Sequence, residues 1–345
     1  PAGPSGYVTR PTWTFSAQLV HAVADSYLMA GPMYVTTKLQ TTSASEVGYN
    51  TTQYAYAGAQ VNRLGRGFLG FKQVTSKQLN DRDFVTAGSQ TSESLTEYSQ
   101  NFPLVGTPIR SMSWSNAVLT SRVDTTYNHT TVPGKGTKFI FLDESESWNY
   151  DLNSGGEQVR YVTRDFTHNA TYGNLETDTT HVYGGPAGGE VLLQTSLTEL
   201  DYFPADQTDW QINQIENTTT TVDDGPGGEA SIQRKVAFTY APGFTGELKT
   251  VTRQPDATDE TKLKTTFVYD VFGNVTEQHV QGFGAEAETR VSKIGYGIGT
   301  GADGRLPQST ENALEHESSL TYHPVCDAPA PVSYTHLRAH ETSKH

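Results

Sequence analysis

A chain of 345 residues has room for one large or two ordinary domains, yet only 35% of it is hydrophobic and 18% charged. The balance is largely Thr, Ser, Gly, Asn and Gln, alongside 18 Tyr and 14 Phe, a mixture that favours short strands and turns over helices. A net charge of −14 excludes the basic footprint of a nucleic-acid binder, no apolar run reaches the roughly 20 residues that cross a bilayer, and the single cysteine, Cys326, excludes an internal disulfide framework or a Cys-based zinc site.

The first residues, PAGPSGYVTR, contain no apolar leader core and do not start with Met, so an amino terminus carrying any export signal is expected upstream of Pro1. Residues 18–29 fit a short helix and residues 33–37 a strand, and the type of this region stays open. In residues 53–74, Tyr54 and Tyr56 fall on one face of an extended stretch and Ala55 and Ala57 on the other. Three glycines follow, Gly65, Gly67 and Gly70, interleaved with Arg66, Phe68 and Phe71. That spacing permits tight turns or close backbone approach while the aromatics supply area to bury. A phosphate-binding loop would need a strand feeding a helix, and no helical period follows.

Residues 98–108, YSQNFPLVGTP, carry two prolines and a glycine and predict an extended connection anchored by Phe102 and Leu104. KFIFL, residues 138–142, predicts a buried strand. The carboxylates just after it, Asp143, Glu144 and Glu146, are the kind of pair a glycosidase uses, but charges past a strand end are more simply a solvated turn. His168, His181 and His279 lack metal-ligand spacing, and no Gly-x-Ser-x-Gly elbow occurs.

From about Gly173 the chain repeats one grammar: an alternating strand that ends near a tyrosine, a glycine turn, and a returning strand. The clearest copy is TTFVYDVFGNVTEQHV, residues 265–280, in which Phe267 and Tyr269 face one side, Thr266 and Val268 the other, and Gly273 and Asn274 supply the turn. Related turns occur at Gly173-Asn174-Leu175, Gly246-Glu247-Leu248 and Gly304-Arg305-Leu306, and tyrosines recur every 26 to 29 residues at Tyr240, Tyr269, Tyr296 and Tyr322. A period of that length with strands alone predicts hairpins that stack against neighbouring copies.

Tyr269, Asp270, Gly273 and Asn274 match the Tyr-Asp and Gly-Asn signature of the YD-repeat family, which includes Rhs proteins and the B and C components of bacterial Tc toxin complexes. Asn312-Ala313-Leu314-Glu315-His316, followed by Thr321-Tyr322, is similar to that family's Asn-Ala-Leu-Gly-His strand leading into Tyr-Asp, with Glu315 in place of glycine and His323 in place of aspartate. QYAYAGA, GRGFLGF and YSQNFPLVGTP resemble the segment that precedes the repeats in Tc B-component-like proteins.

The resemblance implies an all-β chain of antiparallel hairpin repeats forming a curved or spiralling sheet, part of an Rhs/YD-repeat shell. It divides the chain into a β-rich segment at 1–130, hairpin repeats at 131–330 and a tail at 331–345. In the family such a shell encloses a carboxy-terminal effector, so the implied partners are the remainder of the polypeptide with that effector and other toxin-complex subunits. The implied location is outside the bacterial cell or on its surface. No catalytic residue, cofactor or metal ligand carries over; Tyr269 packs, Gly273 turns and Asp270 bonds the turn backbone. PVSYTHLRAHET, residues 331–342, reads as translated sequencing adapter, so the natural chain is expected to continue past about Ala330, and His336, His340 and His345 are discarded as a metal site. Two other readings stay in view: a surface adhesion or carbohydrate-binding protein using Trp13, Trp114, Trp148 or Trp210, and an enzyme on a β scaffold.

Overall fold

Alternating Thr, Tyr and Val with glycine between them commits the backbone to strands that reverse at short turns, and strands are the regular structure found among the described residues. It is a computed structural model that describes residues 26–29, 33–42, 49–80, 91–131, 136–228, 231–243, 245–285, 287–297 and 304–322. The strands are β1 (Ser26–Leu28), β2 (Lys38–Thr42), β3 (Tyr49–Ala57), β4 (Gln60–Asn62), β5 (Gly67–Phe68), β6 (Gln73–Asn80), β7 (Thr91–Tyr98), β8 (Pro108–Ser115), β9 (Val118–Thr131), β10 (Lys138–Asp151), β11 (Glu157–His168), β12 (Leu175–Gly184), β13 (Val191–Tyr202), β14 (Ile215–Asp224), β15 (Ile232–Tyr240), β16 (Leu248–Arg253), β17 (Leu263–Tyr269), β18 (Val275–Gly282), β19 (Thr289–Tyr296), β20 (Pro307–Glu311) and β21 (Glu317–Ser319). Among the described residues there is no helix. The all-β, antiparallel hairpin class read from the sequence is therefore the fold.

The chain forms two compact units, Pro1–Leu197 with Val222–Ser231, and Thr198–Thr221 with Ile232–His345. In the first, β2, β3 and β6 to β12 pair antiparallel, each with the next. A short hairpin of β4 and β5 projects between β3 and β6 and takes β1 as its third strand. In the second unit β15 to β21 pair in sequence order in the same way.

Within each unit the strand contacts among the described residues are those of ladder neighbours. Leu69 is the one buried apolar side chain among those residues, and most sheet residues on either face are half-buried. The strands must therefore be held by their backbone ladders and by side-chain pairs across neighbouring strands, because the described residues bury almost no apolar core.

Several local expectations are corrected by this architecture. KFIFL does not end at a turn: β10 runs on to Asp151, and Asp143, Glu144 and Glu146 lie in mid-strand, where a bulge between Leu142 and Glu144 resets the pairing with β9. Mid-strand carboxylates are tolerated because a half-buried sheet face leaves them wet. Residues 33–37 lie before β2, which begins at Lys38, and the described end of the 18–29 segment is strand β1, the rest falling outside the described residues. Asn312 to His316 is the turn between β20 and β21, not a strand. Trp13, Cys326 and the tail 331–345 with its three histidines lie outside the described residues.

Candidate functional site

GRGFLGF and YSQNFPLVGTP, distant in sequence, meet in one cluster. Gly65, Gly67 and Gly70 all take positive φ (91°, 74° and 85°), the left-handed region that glycine enters without a Cβ clash. The Asn62 carboxamide oxygen accepts the Leu64 and Arg66 N–H groups at 2.9 and 3.3 Å, which shapes the tip between β4 and β5. Gln100 then clamps the base of the hairpin: its amide donates to the carbonyls of Gly58 (2.6 Å) and Gly70 (2.9 Å), using both N–H groups. Phe71 packs between Tyr56 and Phe68 with centroids 4.8 and 5.6 Å away. Phe102 is not an anchor in a core, since it stays 53% exposed; the Arg66 guanidinium lies 3.3 Å above its ring instead. Leu104 is half-buried.

The Tyr-Asp repeat has a comparable purpose in the second unit. One Asp270 oxygen accepts the N–H groups of Phe272 (2.8 Å) and Asn274 (3.0 Å), while the other accepts the Asn274 amide at 3.0 Å. These donors, the Asn274 amide foremost, hold the Asp270 carboxyl below its ordinary range. Gly273 sits at φ 84° within that turn. Asn274 also donates to the Gly304 carbonyl at 2.7 Å, and Phe272 packs on Gly304, so one turn is tied to the next along the same sheet edge. Upstream on that edge Gln211 reaches the Gly243 carbonyl. The repeat tyrosines make a second set of ties: Tyr269 donates to the Leu248 carbonyl (2.6 Å), Tyr322 to that of Pro307 (2.7 Å), and Tyr240 is bonded to the Ile215 backbone. Each of those partners opens a strand. Asn312 repeats the Asp270 pattern, accepting the Leu314 and His316 N–H groups at 2.9 and 3.0 Å, with Glu315 at φ 60° where the other turn has Gly273. Asn169 does the same with Thr171 and Tyr172, beside Gly173 at φ 75°. The sequence reading gave this capping role to Asp270; Asn312 and Asn169 were readable in the same way, as an Asx residue three or four positions before a left-handed glycine or its substitute.

A third constellation had no linear signal at all. On one face of the first unit, register places Gln73, Glu97, Arg110, Asp124 and Glu146 side by side on β6 to β10. Gln73 donates to Glu97 (2.6 Å), Arg110 lies 3.7 Å from Glu97 and forks onto Asp124 at 2.8 and 2.9 Å, and Arg122 bonds the same carboxylate. The two guanidiniums, Arg110 first, hold Asp124 far below the usual carboxylate range. One rung along, Arg122, Trp148, Tyr161 and Tyr183 face one another directly. The guanidinium lies 4.7 Å from the Trp148 ring, and the three rings stack at 5.3 and 5.6 Å with planes 23° and 28° apart. Burial, then the bond to Glu146, raises the Tyr161 hydroxyl well above its ordinary range. Burial and then the neighbouring Glu146, Asp165 and Asp143 raise the Glu144 carboxyl.

Trp114 is half-buried, and Trp210, at φ 57° in a turn, is 70% exposed. His168 packs on Phe141 at 4.7 Å, and burial lowers its pKa; His181 meets the Thr195 hydroxyl, and His279 pairs with Glu277. Among the described residues no three His, Cys, Asp or Glu side chains are grouped to hold a metal ion, and no helix is long and apolar enough to cross a membrane.

Within each unit the strands form an antiparallel meander whose neighbouring turns are tied laterally. The fold of the chain is that of part of the TcdB2-TccC3 structures. The crystal structure of TcdB2-TccC3 without the hypervariable C-terminal region superposes with a TM-score of 0.57 over 87% of this chain at 11% identity. TcdB2-TccC3 itself gives 0.55 over 82% at 11% identity, and TcdB2-TccC3-Cdc42 gives 0.57 over 87% at 10%. The chain spans about a fifth of each of those chains, 21–22%. No family model and no curated protein matches it.

Proposed function

We propose that this chain is a wall segment of a larger Rhs/YD-repeat or Tc-like toxin protein, one that encloses a carboxy-terminal effector outside the producing bacterium. The observation that carries this reading is the likeness in fold to TcdB2-TccC3 over 87% of the chain. The side-chain chemistry is in keeping with it: Gln100, Tyr269, Asp270 and Asn274 spend their polar groups on backbone carbonyls and N–H groups of neighbouring hairpins, which fixes shape. In this reading the chain performs no chemistry of its own and holds no cofactor or metal. Its partners are the remaining polypeptide with its effector and other toxin-complex subunits.

The sugar-binding alternative gains little from Trp148 in β10. Stacking on a pyranose needs a free ring face, and those of Trp148 are turned to Arg122 and Tyr161.

The test is to recover the complete reading frame, produce the full-length protein and digest it lightly. The expected result is a distinct carboxy-terminal domain that resists protease in the intact protein and is cut rapidly when produced alone. A full-length frame with no such domain, or a domain cut equally fast in both contexts, overturns the proposal.

A further inference from the structure

Trp148, Tyr161 and Tyr183 are direct cross-strand partners on β10, β11 and β12, so register alone stacks their rings, at 5.3 and 5.6 Å. Charge is uneven along this ladder. The Arg122 guanidinium lies 4.7 Å from the Trp148 ring, where it opposes the formation of a second positive charge on the indole. Tyr161, in the middle, has the opposite setting: its hydroxyl donates to a Glu146 oxygen, and Glu144 on the same strand adds a further negative charge nearby. A carboxylate already hydrogen-bonded to a phenol is a base in place to take its proton. The bond between Tyr161 and Glu146 joins two side chains and ties no turn, so the shape-holding contacts described above leave it without a use.

We infer that Tyr161 is a one-electron oxidation site, the residue at which attack on this unit by small oxidising radicals collects, with Glu146 as the acceptor of its proton. In the step, Tyr161 gives one electron to the radical, which is reduced by one electron; the phenolic O–H bond breaks, an O–H bond forms on the Glu146 carboxyl, and a neutral tyrosyl radical remains. Burial and the bond to Glu146 keep the hydroxyl protonated at neutral pH, so the electron leaves only with a proton transfer, and the acceptor is already in contact. When the radical takes its electron from Trp148 first, the indole radical cation is refilled from Tyr161 across the stacked pair, and the proton again passes to Glu146. Arg122 above Trp148 and the carboxylates beside Tyr161 both drive the transfer in that direction. A one-electron donor such as ascorbate or a thiolate reverses the step, supplying the electron while Glu146 returns the proton. Trp148 is thereby spared oxygenation. Access alone would select a different target, since Tyr34 is 89% exposed. The inference stands on the geometry of the ladder and does not rest on the enclosing-wall reading.

The experiment exposes the full chain to azide radicals generated by a radiolysis pulse. The radicals are identified by electron paramagnetic resonance after rapid freezing, and the stable products are mapped by peptide mass spectrometry. Wild type is compared with Y161F, Y34F and E146Q. A tyrosyl signal is expected in wild type; Y161F loses most of it and gains oxygenated Trp148, whereas Y34F changes neither. E146Q should lower the tyrosyl yield by about tenfold and raise Trp148 oxygenation, because the proton has lost its acceptor. Transfer from Trp148 to Tyr161 should also slow in heavy water in wild type. Loss of the signal in Y34F with its retention in Y161F, or equal tyrosyl yields in wild type and E146Q, overturns the inference. If E146Q fails to fold, the wild-type chain decides: Trp148 oxygenation that rises on unfolding in urea supports the protective transfer, and Trp148 oxygenation equal in folded and unfolded chain overturns it.

Discussion

Replacing Asp124 with Asn tests whether side-chain rows hold a sheet that buries almost no apolar core. Asp124 accepts both forks of Arg110, at 2.8 and 2.9 Å, and is bonded by Arg122 as well, while its own side chain is only 20% exposed. Hydrogen bonds to charged groups contribute roughly 1.5–3 kcal/mol when shielded, and exposed ion pairs about 0.2–1 kcal/mol. The two guanidiniums are 37% and 35% exposed and rehydrate when released, so about 1 kcal/mol each is reasonable, or about 2 kcal/mol for D124N. The pH dependence has a definite sign. The folded carboxyl titrates below its unfolded value, so its contribution is fully present above about pH 4 and is lost as pH falls through the folded value. Urea unfolding of wild type and D124N at pH 7 should differ by that amount, the gap should shrink steadily below pH 4, and amide exchange should quicken first in β8 to β10. Equal urea midpoints at pH 7, or a gap that persists unchanged to pH 2, would refute the reasoning.

Glu315 occupies a left-handed turn position at φ 60°, and Glu315→Gly should raise stability by about 0.5–1 kcal/mol by removing the Cβ strain, measured by the shift in thermal midpoint. Gly273→Ala should cost about 1 kcal/mol from φ alone, because the added Cβ would meet nothing nearer than a Glu247 oxygen at 3.6 Å. Gln100→Ala leaves the Gly58 and Gly70 carbonyls without that donor, and deuterium uptake across residues 58–72 should accelerate by about tenfold while β15 to β18 remain unchanged. Tyr269→Phe removes the 2.6 Å bond to the Leu248 carbonyl; a loss of about 1 kcal/mol with faster exchange in β16 is expected, and an unaltered exchange pattern would count against the tie.

The strands of residues 265–280 were legible because Thr, Phe, Val and Tyr alternate and Gly273-Asn274 follows, and local propensity is enough to produce a hairpin there. The turn at Asn312 was read as strand from its resemblance to the family's Asn-Ala-Leu-Gly-His strand, while the decisive feature is one side-chain oxygen accepting two backbone N–H groups. The long strand β10 was cut short for a related reason: charges signal a strand's end only when the sheet has a dry face, and here both faces are half-buried.

By itself the sequence determined that the chain is all-β, that it reverses at glycine and Asx turns, and which tyrosines mark the repeat, since each of these depends on neighbours within a few residues. Tertiary structure alone decided which side chains meet across strands. Asp124 finds Arg110, Trp148 finds Tyr161 and Gln100 finds Gly58 through register, and register is fixed jointly by loop lengths and bulges summed over many strands. A slip of one residue in any ladder would send these groups to opposite faces, which is why no reading of single segments could place them together.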